Sequence, residues 1–240
     1  SHMHTGQQLL KGLVLDAKPI IWTRVMLPFE STLTPEKMRL SAQVAALEMM
    51  KSGTTAFIDA GSYHMDAAAA VYEESGLRGC ISYSTMDEEG LPESIAMNAG
   101  QAARETDRLY ENWNGRGNLK VYYSLRALNS CSHELTELAA GHARERGAML
   151  QAHMNEYQGE VDGIIAREGM RPYEYLEKMG VLSDRFLGAH SLILSEEEKE
   201  IIRERGAKVC HCPFSNCGKA VPDTPDLVER GIIPGFGTDG

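Results

Sequence analysis

The residues best suited to chemistry lie at the two ends of the chain. His2 and His4 form a His-x-His pair at the start, and Gly237-Thr238-Asp239-Gly240 stands at the finish. In an extended segment, side chains two apart share a face, so both imidazoles can reach one ion. Between them, His153 closes the apolar run Ala148-Met149-Leu150-Gln151-Ala152, and His190 closes Phe186-Leu187-Gly188-Ala189. Imidazole and carboxylate are ordinary ligands of a divalent metal. Separate segments that each end in such a donor imply strands converging on a single ion. Glu156 follows His153 where strand should give way to loop, and a carboxylate there can relay protons without being a ligand.

Each of these residues has a plainer explanation. A lone histidine at a strand end is more often a hydrogen-bonded core residue, and an Asp between small residues can cap a helix. Ser1-His2-Met3 is also what cleavage of an affinity tag leaves behind, which would make His2 incidental. It is the coincidence of donors at several strand ends that favours a metal site. The segment 209–217 offers a rival, because Cys210, Cys212, Cys217 and His211 could hold structural zinc. Strand alternation, however, sends Cys210 and Cys212 to one face and His211 to the other. Buried thiols account better for the cysteines, and His211 is then expected to face the site as a substrate contact or a support. His64, His133 and His142 fall in helical or loop contexts and are expected to be surface or packing residues.

The elements that must position these groups alternate along the chain. Strand candidates cover 54–59, 79–84, 119–125, 148–153, 186–190, 208–212 and 232–237. Helical spacing covers 35–52, 65–75, 91–113, 132–146, 172–179, 195–205 and 224–230. Ser132 and Ser195 precede early acids as N-caps, with Glu198 at the capping-box position. Gly53, Gly76, Gly147, Gly180, Gly206 and Gly231 fall where helices should end. β-Runs separated by helices predict a parallel sheet covered by helices. No Gly-x-Gly-x-x-Gly follows a strand, which disfavours a nucleotide-binding open sheet. Polar residues at several strand ends instead favour a (β/α)₈ barrel, whose sites form at that rim. The expectation is one domain over 1–240, a barrel trimmed at both ends: it lacks strand one, which would precede His2, and whatever follows strand eight.

The size, 240 residues, suits one such barrel. With 24 basic against 34 acidic residues the net charge is −10, so neither a nucleic-acid groove nor binding to an anionic membrane is expected. No run reaches the roughly 18–20 apolar residues of a membrane span. Five cysteines, an odd count at low density, fit a reducing cytoplasm.

Taken together, His2-x-His4, His153-x-x-Glu156, His190, His211-Cys212-Pro213-Phe214-Ser215-Asn216 and Gly237-Thr238-Asp239 resemble the amidohydrolase superfamily. More narrowly, they resemble its branch of cytosine, guanine and adenosine-type deaminases and triazine chlorohydrolases. The resemblance spans the whole chain in order. It implies a (β/α)₈ barrel, usually with a small β domain built from both termini. It also implies one divalent ion, zinc or else iron, held by His2, His4, His153 and Asp239, with His190 as a further ligand or a holder of the water. No strand-four lysine is placed to be carboxylated, which argues for one metal rather than two. By the same resemblance, Glu156, His190 and Asp239 are the catalytic groups. The implied reaction is attack of activated water on an aminated N-heterocycle (purine, pterin, pyrimidine or triazine) with release of ammonia. Dechlorination or amide or guanidine hydrolysis at the same site is the alternative, and a catalytically silent assembly module is a second. Gln7, Arg126, Asn155 and His211 are candidate substrate contacts, with Tyr157 and residues 86–88 also in reach. A small-molecule heterocycle is the expected partner, and a homo-oligomer, dimer or larger, the expected assembly.

Overall fold

In the computed structural model, residues 2–14 and 21–240 are described; Ser1 lies outside them. The strands, all pairing in parallel, are β1 (His2–Met3), β2 (Ala56–Asp59), β3 (Arg78–Ile81), β4 (Leu119–Val121), β5 (Tyr123–Ala127), β6 (Leu150–Met154), β7 (Phe186–His190), β8 (Lys208–His211) and β9 (Gly235–Phe236). They form two runs in chain order, β1 to β4 and β5 to β9. Helices between the strands cover the outside, which is the α/β barrel arrangement.

Two joints connect the runs. At the first, the single strand expected over 119–125 is split at Tyr122. The Tyr122 N–H still donates to the Ile81 carbonyl at 3.1 Å, and the Tyr123 N–H donates to Met149 at 2.9 Å. β4 and β5 are therefore two halves of one stave, the first paired with β3 and the second with β6. At the second joint, the N–H groups of Thr238 and Asp239 both donate to the His2 carbonyl at 3.1 Å. That contact stitches the end of β9 to β1. The first strand is the pair His2 and Met3, in register with Ile58 and Asp59.

Several boundaries differ from the sequence expectation for local reasons. The helix expected from residue 91 begins at Ala99, because Asn98 and Gln101 cap each other. A helix over Gln158–Glu168, ended by Gly169 at φ 73°, was not expected, because its apolar spacing is short and interrupted by acids. The last strand shrinks to Gly235–Phe236, since Pro234 brings no N–H to a ladder. The Ser132 cap and the Ser195–Glu198 capping box form as expected. Each glycine expected to end a helix has positive φ.

The core lies between strands and helices in two main clusters. One is built on β1 to β4, with Met38, Phe57, Tyr72 and Leu109, and the other on β5 to β8, with Leu135, Leu150, Tyr173 and Phe186. Cys210 and Cys212 pack with Leu187 in a small cluster of their own, as buried thiols rather than metal ligands.

The second joint needs a glycine. A β-carbon on Gly237 would lie 2.7 Å from both N and O of His2 and 3.0 Å from Cys212 Sγ. Gly237→Ala should therefore push β9 away from β1 and cost about 1–3 kcal/mol, as overpacking does. Urea denaturation of the variant beside the parent measures this, and an unchanged midpoint would contradict the close approach.

Candidate metal centre

The strand ends bring the expected donors together. Asp239 Oδ1 lies 3.2 Å from His2 Nε2 and 3.3 Å from His4 Nε2, and the two Nε2 atoms of His4 and His153 are 3.1 Å apart. The four ligand atoms all lie within 4.8 Å of one another. For zinc with bonds of about 2.0–2.1 Å, the edge of a tetrahedron is roughly 3.3 Å. The close donor pairs are spaced to that edge, so the residues fit a single divalent ion. His2 therefore sits inside the cluster, where the paired reading of His-x-His puts it.

Buried polar atoms point the same way. His2, His4, His153 and His190 are all at most 7% exposed. The Nε2 atom of His190 has no hydrogen-bond partner among the described residues, and that of His2 faces only the Asp239 carboxylate. Burying a polar atom unpaired is costly, and a cation in the cluster would remove that cost. Burial, then the charge of Arg126, lowers the His4 pKa. Burial, then the neighbouring imidazoles, pushes that of His153 far down. Both rings are neutral at pH 7 and offer lone pairs. Burial raises the Asp239 carboxyl, but hydrogen bonding to His2 and His4 outweighs it and holds the group well below the usual range, as an anion.

Glu156 stands on the other side of Asp239. Its Oε1 is 3.6 Å from His190 Nε2, and Glu156, His190 and Asp239 form a second group of donors within 4.8 Å. Its position is set by Glu160, whose carboxylate accepts the N–H groups of Asn155 at 3.1 Å and Glu156 at 2.9 Å.

The four candidate substrate contacts divide. Arg126 is buried and bidentate to Glu30, with both N–O distances 3.0 Å, and Gln7 donates to the same carboxylate at 2.6 Å. Both residues are therefore committed to Glu30. The Asn155 side chain is fully buried, with its amide nitrogen donating to the Ile193 carbonyl and the Glu198 carboxylate. Its backbone has φ 50°, which swings the side chain off the strand's alternation. His211 accepts a hydrogen bond from Asn216, and that same amide also contacts His190, so His211 supports the site through Asn216. His64, His133 and His142 pair with Leu33, Tyr175 and Asp107, apart from the cluster.

Lys219, Gln151 and Glu30 were not foreseen. Lys219 is ion-paired to Glu156, donates to Ser215 Oγ at 2.6 Å, and lies 3.7 Å from Asp239 Oδ2. Ser215 in turn donates to Asp239 at 2.5 Å. Ser215 and Lys219 are four apart, a helical spacing that could have flagged them as sharing a face. The Gln151 amide nitrogen is 3.2 Å from His2 Nδ1. For His2 Nε2 to bind metal, Nδ1 must carry the proton, and turning the amide over would bring the Gln151 oxygen, otherwise unpaired, to accept it.

The fold and site define a parallel α/β barrel with a single-ion donor cluster where its strands end. The sequence profile of the amidohydrolase family matches residues 1–240, and the chain belongs to that family. It is 36% identical to the 5'-deoxyadenosine deaminase of Methanopyrus kandleri over 247 aligned positions, covering 100% of this chain and 55% of that protein. It is 32% identical to the 5-methylthioadenosine/S-adenosylhomocysteine deaminase of Aquifex aeolicus, covering 100% of this chain and 56% of that one. The chain thus spans a little over half the length of these curated relatives. A solved adenosine deaminase from Xanthomonas campestris with bound zinc superposes with a TM-score of 0.90 at 25% identity, over 100% of this chain and 54% of that one. A guanine deaminase from C. acetobutylicum shares the fold, with a TM-score of 0.91 at 21% identity over 99% of this chain and 59% of that one. No helix among the described residues is long and apolar enough to cross a membrane.

Burial raises the Glu160 pKa from the ordinary carboxyl range to about 8. A carboxyl with a raised folded pKa holds its proton better folded than unfolded, so its contribution to stability declines as pH rises from about 4.5 through 8. Glu160→Gln should remove that decline, and denaturation midpoints from pH 5 to 9 should fall less steeply in the variant than in the parent. Parallel curves would show that Glu160 does not titrate in this window.

Proposed function

We propose that this chain forms the catalytic barrel of a metal-dependent aminohydrolase that deaminates an aminated N-heterocycle, an aminopurine nucleoside above all. The observation that carries this reading is the tetrahedral-edge spacing of the His2, His4, His153 and Asp239 donors with Glu156 alongside. The purine preference rests on the relatives, whose names specify 5'-deoxyadenosine, methylthioadenosine and S-adenosylhomocysteine as substrates.

In this reading His2, His4, His153 and Asp239 would hold the ion, zinc being the metal of the adenosine deaminase neighbour. A divalent ion there supplies the Lewis acidity that lets water act as a nucleophile at neutral pH. Asp239 accepts the proton lost by the attacking water, and His190 orients that water. Glu156 delivers a proton to the ring nitrogen beside the C–NH₂ carbon, so that carbon can accept the oxygen without a full negative charge developing on the ring. The C–N bond then breaks as the amine takes the proton held by Asp239 and leaves as ammonia, while the added hydroxyl returns its proton to Glu156 and a ring carbonyl remains beside the protonated ring nitrogen. Lys219 and Ser215 keep Glu156 and Asp239 apart and aimed. Gln7 and Arg126 act through Glu30, and His211 acts through Asn216, rather than by direct contact with the heterocycle.

The test uses the purified full-length protein. Zinc content by mass spectrometry should be near one per chain, with ammonia released from an aminopurine nucleoside faster than from guanine, a pterin or an aminotriazine. Metal-free, inactive protein would overturn the reading, and faster release from the triazine would overturn the purine preference. Glu156→Gln should keep the zinc and lower kcat by at least about 100-fold, the scale of a lost general acid–base. Near-parental turnover would remove Glu156 from the proton path. Lys219→Met should keep the zinc and reduce kcat about tenfold, the scale of a lost supporting contact, and an unchanged kcat would make the ion pair incidental.

A further inference from the structure

One short turn touches three of the site's groups. Ser215 donates to Asp239, Lys219 pairs with Glu156, and Asn216 lies between them against His190. Asn216 is fully buried. Its main chain is already satisfied, since its N–H donates to Cys212 at 2.9 Å and its carbonyl accepts from Lys219 at 2.9 Å. The side chain is therefore held in place and has only its two amide ends to offer. The oxygen is 3.0 Å from His190 Nδ1, and the nitrogen is 2.7 Å from His211 Nδ1.

We propose that Asn216 is a positioning residue that fixes His190 as the Nδ1–H tautomer, so that His190 turns a bare Nε2 toward the metal donors. The amide has one accepting end and one donating end, so each flanking imidazole is assigned a tautomer by the end it meets. With the oxygen on His190, Nδ1 carries the proton and Nε2 keeps its lone pair. The opposite orientation would put a proton on His190 Nε2, a buried atom that has no hydrogen-bond partner among the described residues and whose nearest carboxylate oxygen, on Glu156, is 3.6 Å away. That would strand a buried donor among other imidazoles. His211 bears no such constraint: it is only partly buried, so its own Nε2–H can reach water. The unequal burial of the two rings therefore selects one orientation of the amide. His190 is then confined to accepting roles, as a metal ligand or as an acceptor from water. This rests on the metal-centre reading for its purpose but not for its geometry.

The test is long-range ¹H–¹⁵N correlation spectroscopy on metal-free, full-length protein labelled in its histidines, with the His190 signals assigned by their loss in H190Q. The parent should show His190 as a single Nδ1–H tautomer. Asn216→Leu should lose that tautomer and bind zinc about 10- to 100-fold more weakly in competition with a chelator, the usual scale for a supporting residue. Asn216→Asp, nearly the same shape and still an acceptor for Nδ1–H, should keep the tautomer and restore most of the affinity. A proton on His190 Nε2 in the parent overturns the proposal without any variant, as does an unchanged tautomer in Asn216→Leu. A protein that shows the expected tautomer and binds no zinc would leave Asn216's role standing and overturn the metal-centre reading instead.

Discussion

The site depends on one backbone acceptor, the carbonyl of His2. It receives both the Thr238 and the Asp239 N–H groups, and so ties the last strand to the first. The Asp239 carboxylate is brought by this seam within 3.3 Å of each of two imidazoles from the other end of the chain. Gly237 permits it, because any side chain there would collide with the His2 backbone. Asp239 itself has φ 69°, a left-handed conformation that costs energy in a residue other than glycine. That strain persists because two hydrogen bonds on one side and the imidazoles on the other fix both ends of the residue.

Given the seam, the electrostatics follow from burial. Imidazoles removed from water resist protonation, so they enter the site as lone-pair donors rather than as cations. The anion they surround is stabilised by their hydrogen bonds. The result is a cluster that is short of positive charge and rich in unpaired acceptors. An apolar core of the same shape would leave none of these costs, so their presence is the physical argument for a cation. Neither nearby cation fills the deficit, because Glu30 already neutralises Arg126 and Glu156 pairs with Lys219.

How much of this was legible beforehand depended on sequence distance. The donors announced themselves because each closes a recognisable strand, and strand periodicity says which way it points. The (β/α)₈ class followed from alternation, and the helix caps at Ser132 and Ser195 from local hydrogen-bonding rules. The residues that hold the donors were mostly invisible. Gln151 and His2 are 149 positions apart, Arg126 and Glu30 96, and Lys219 and Glu156 63. Nothing local marks such pairs; they exist only once the barrel closes. The setting of Asn155 was hidden for the opposite reason. It neighbours Glu156 in sequence, yet its left-handed backbone turns the two side chains apart. The splitting of the fourth stave at Tyr122 was equally hidden, since 119–125 reads as one β-rich run with nothing to mark a break.

Two carboxylates at one mouth would ordinarily repel, and the structure separates them by giving each a different counter-charge. Asp239 Oδ1 faces His2 and His4, the side an ion would occupy, while its Oδ2 accepts from Ser215. Glu156 faces Lys219, whose ammonium also reaches toward Asp239. Burial lowers the pKa of that lysine, but the two carboxylates more than reverse the effect, so it stays charged. One carboxylate is thereby bound into the donor cluster, and the other is left outside it with a mobile-proton partner in reach. That division suits the roles proposed for the two groups, Asp239 beside the water at the ion and Glu156 free to carry a proton to the ring. The turn 213–219 enforces it from a single element: Ser215 on the ligand carboxylate, Lys219 on the free one, and Asn216 on the histidine between them.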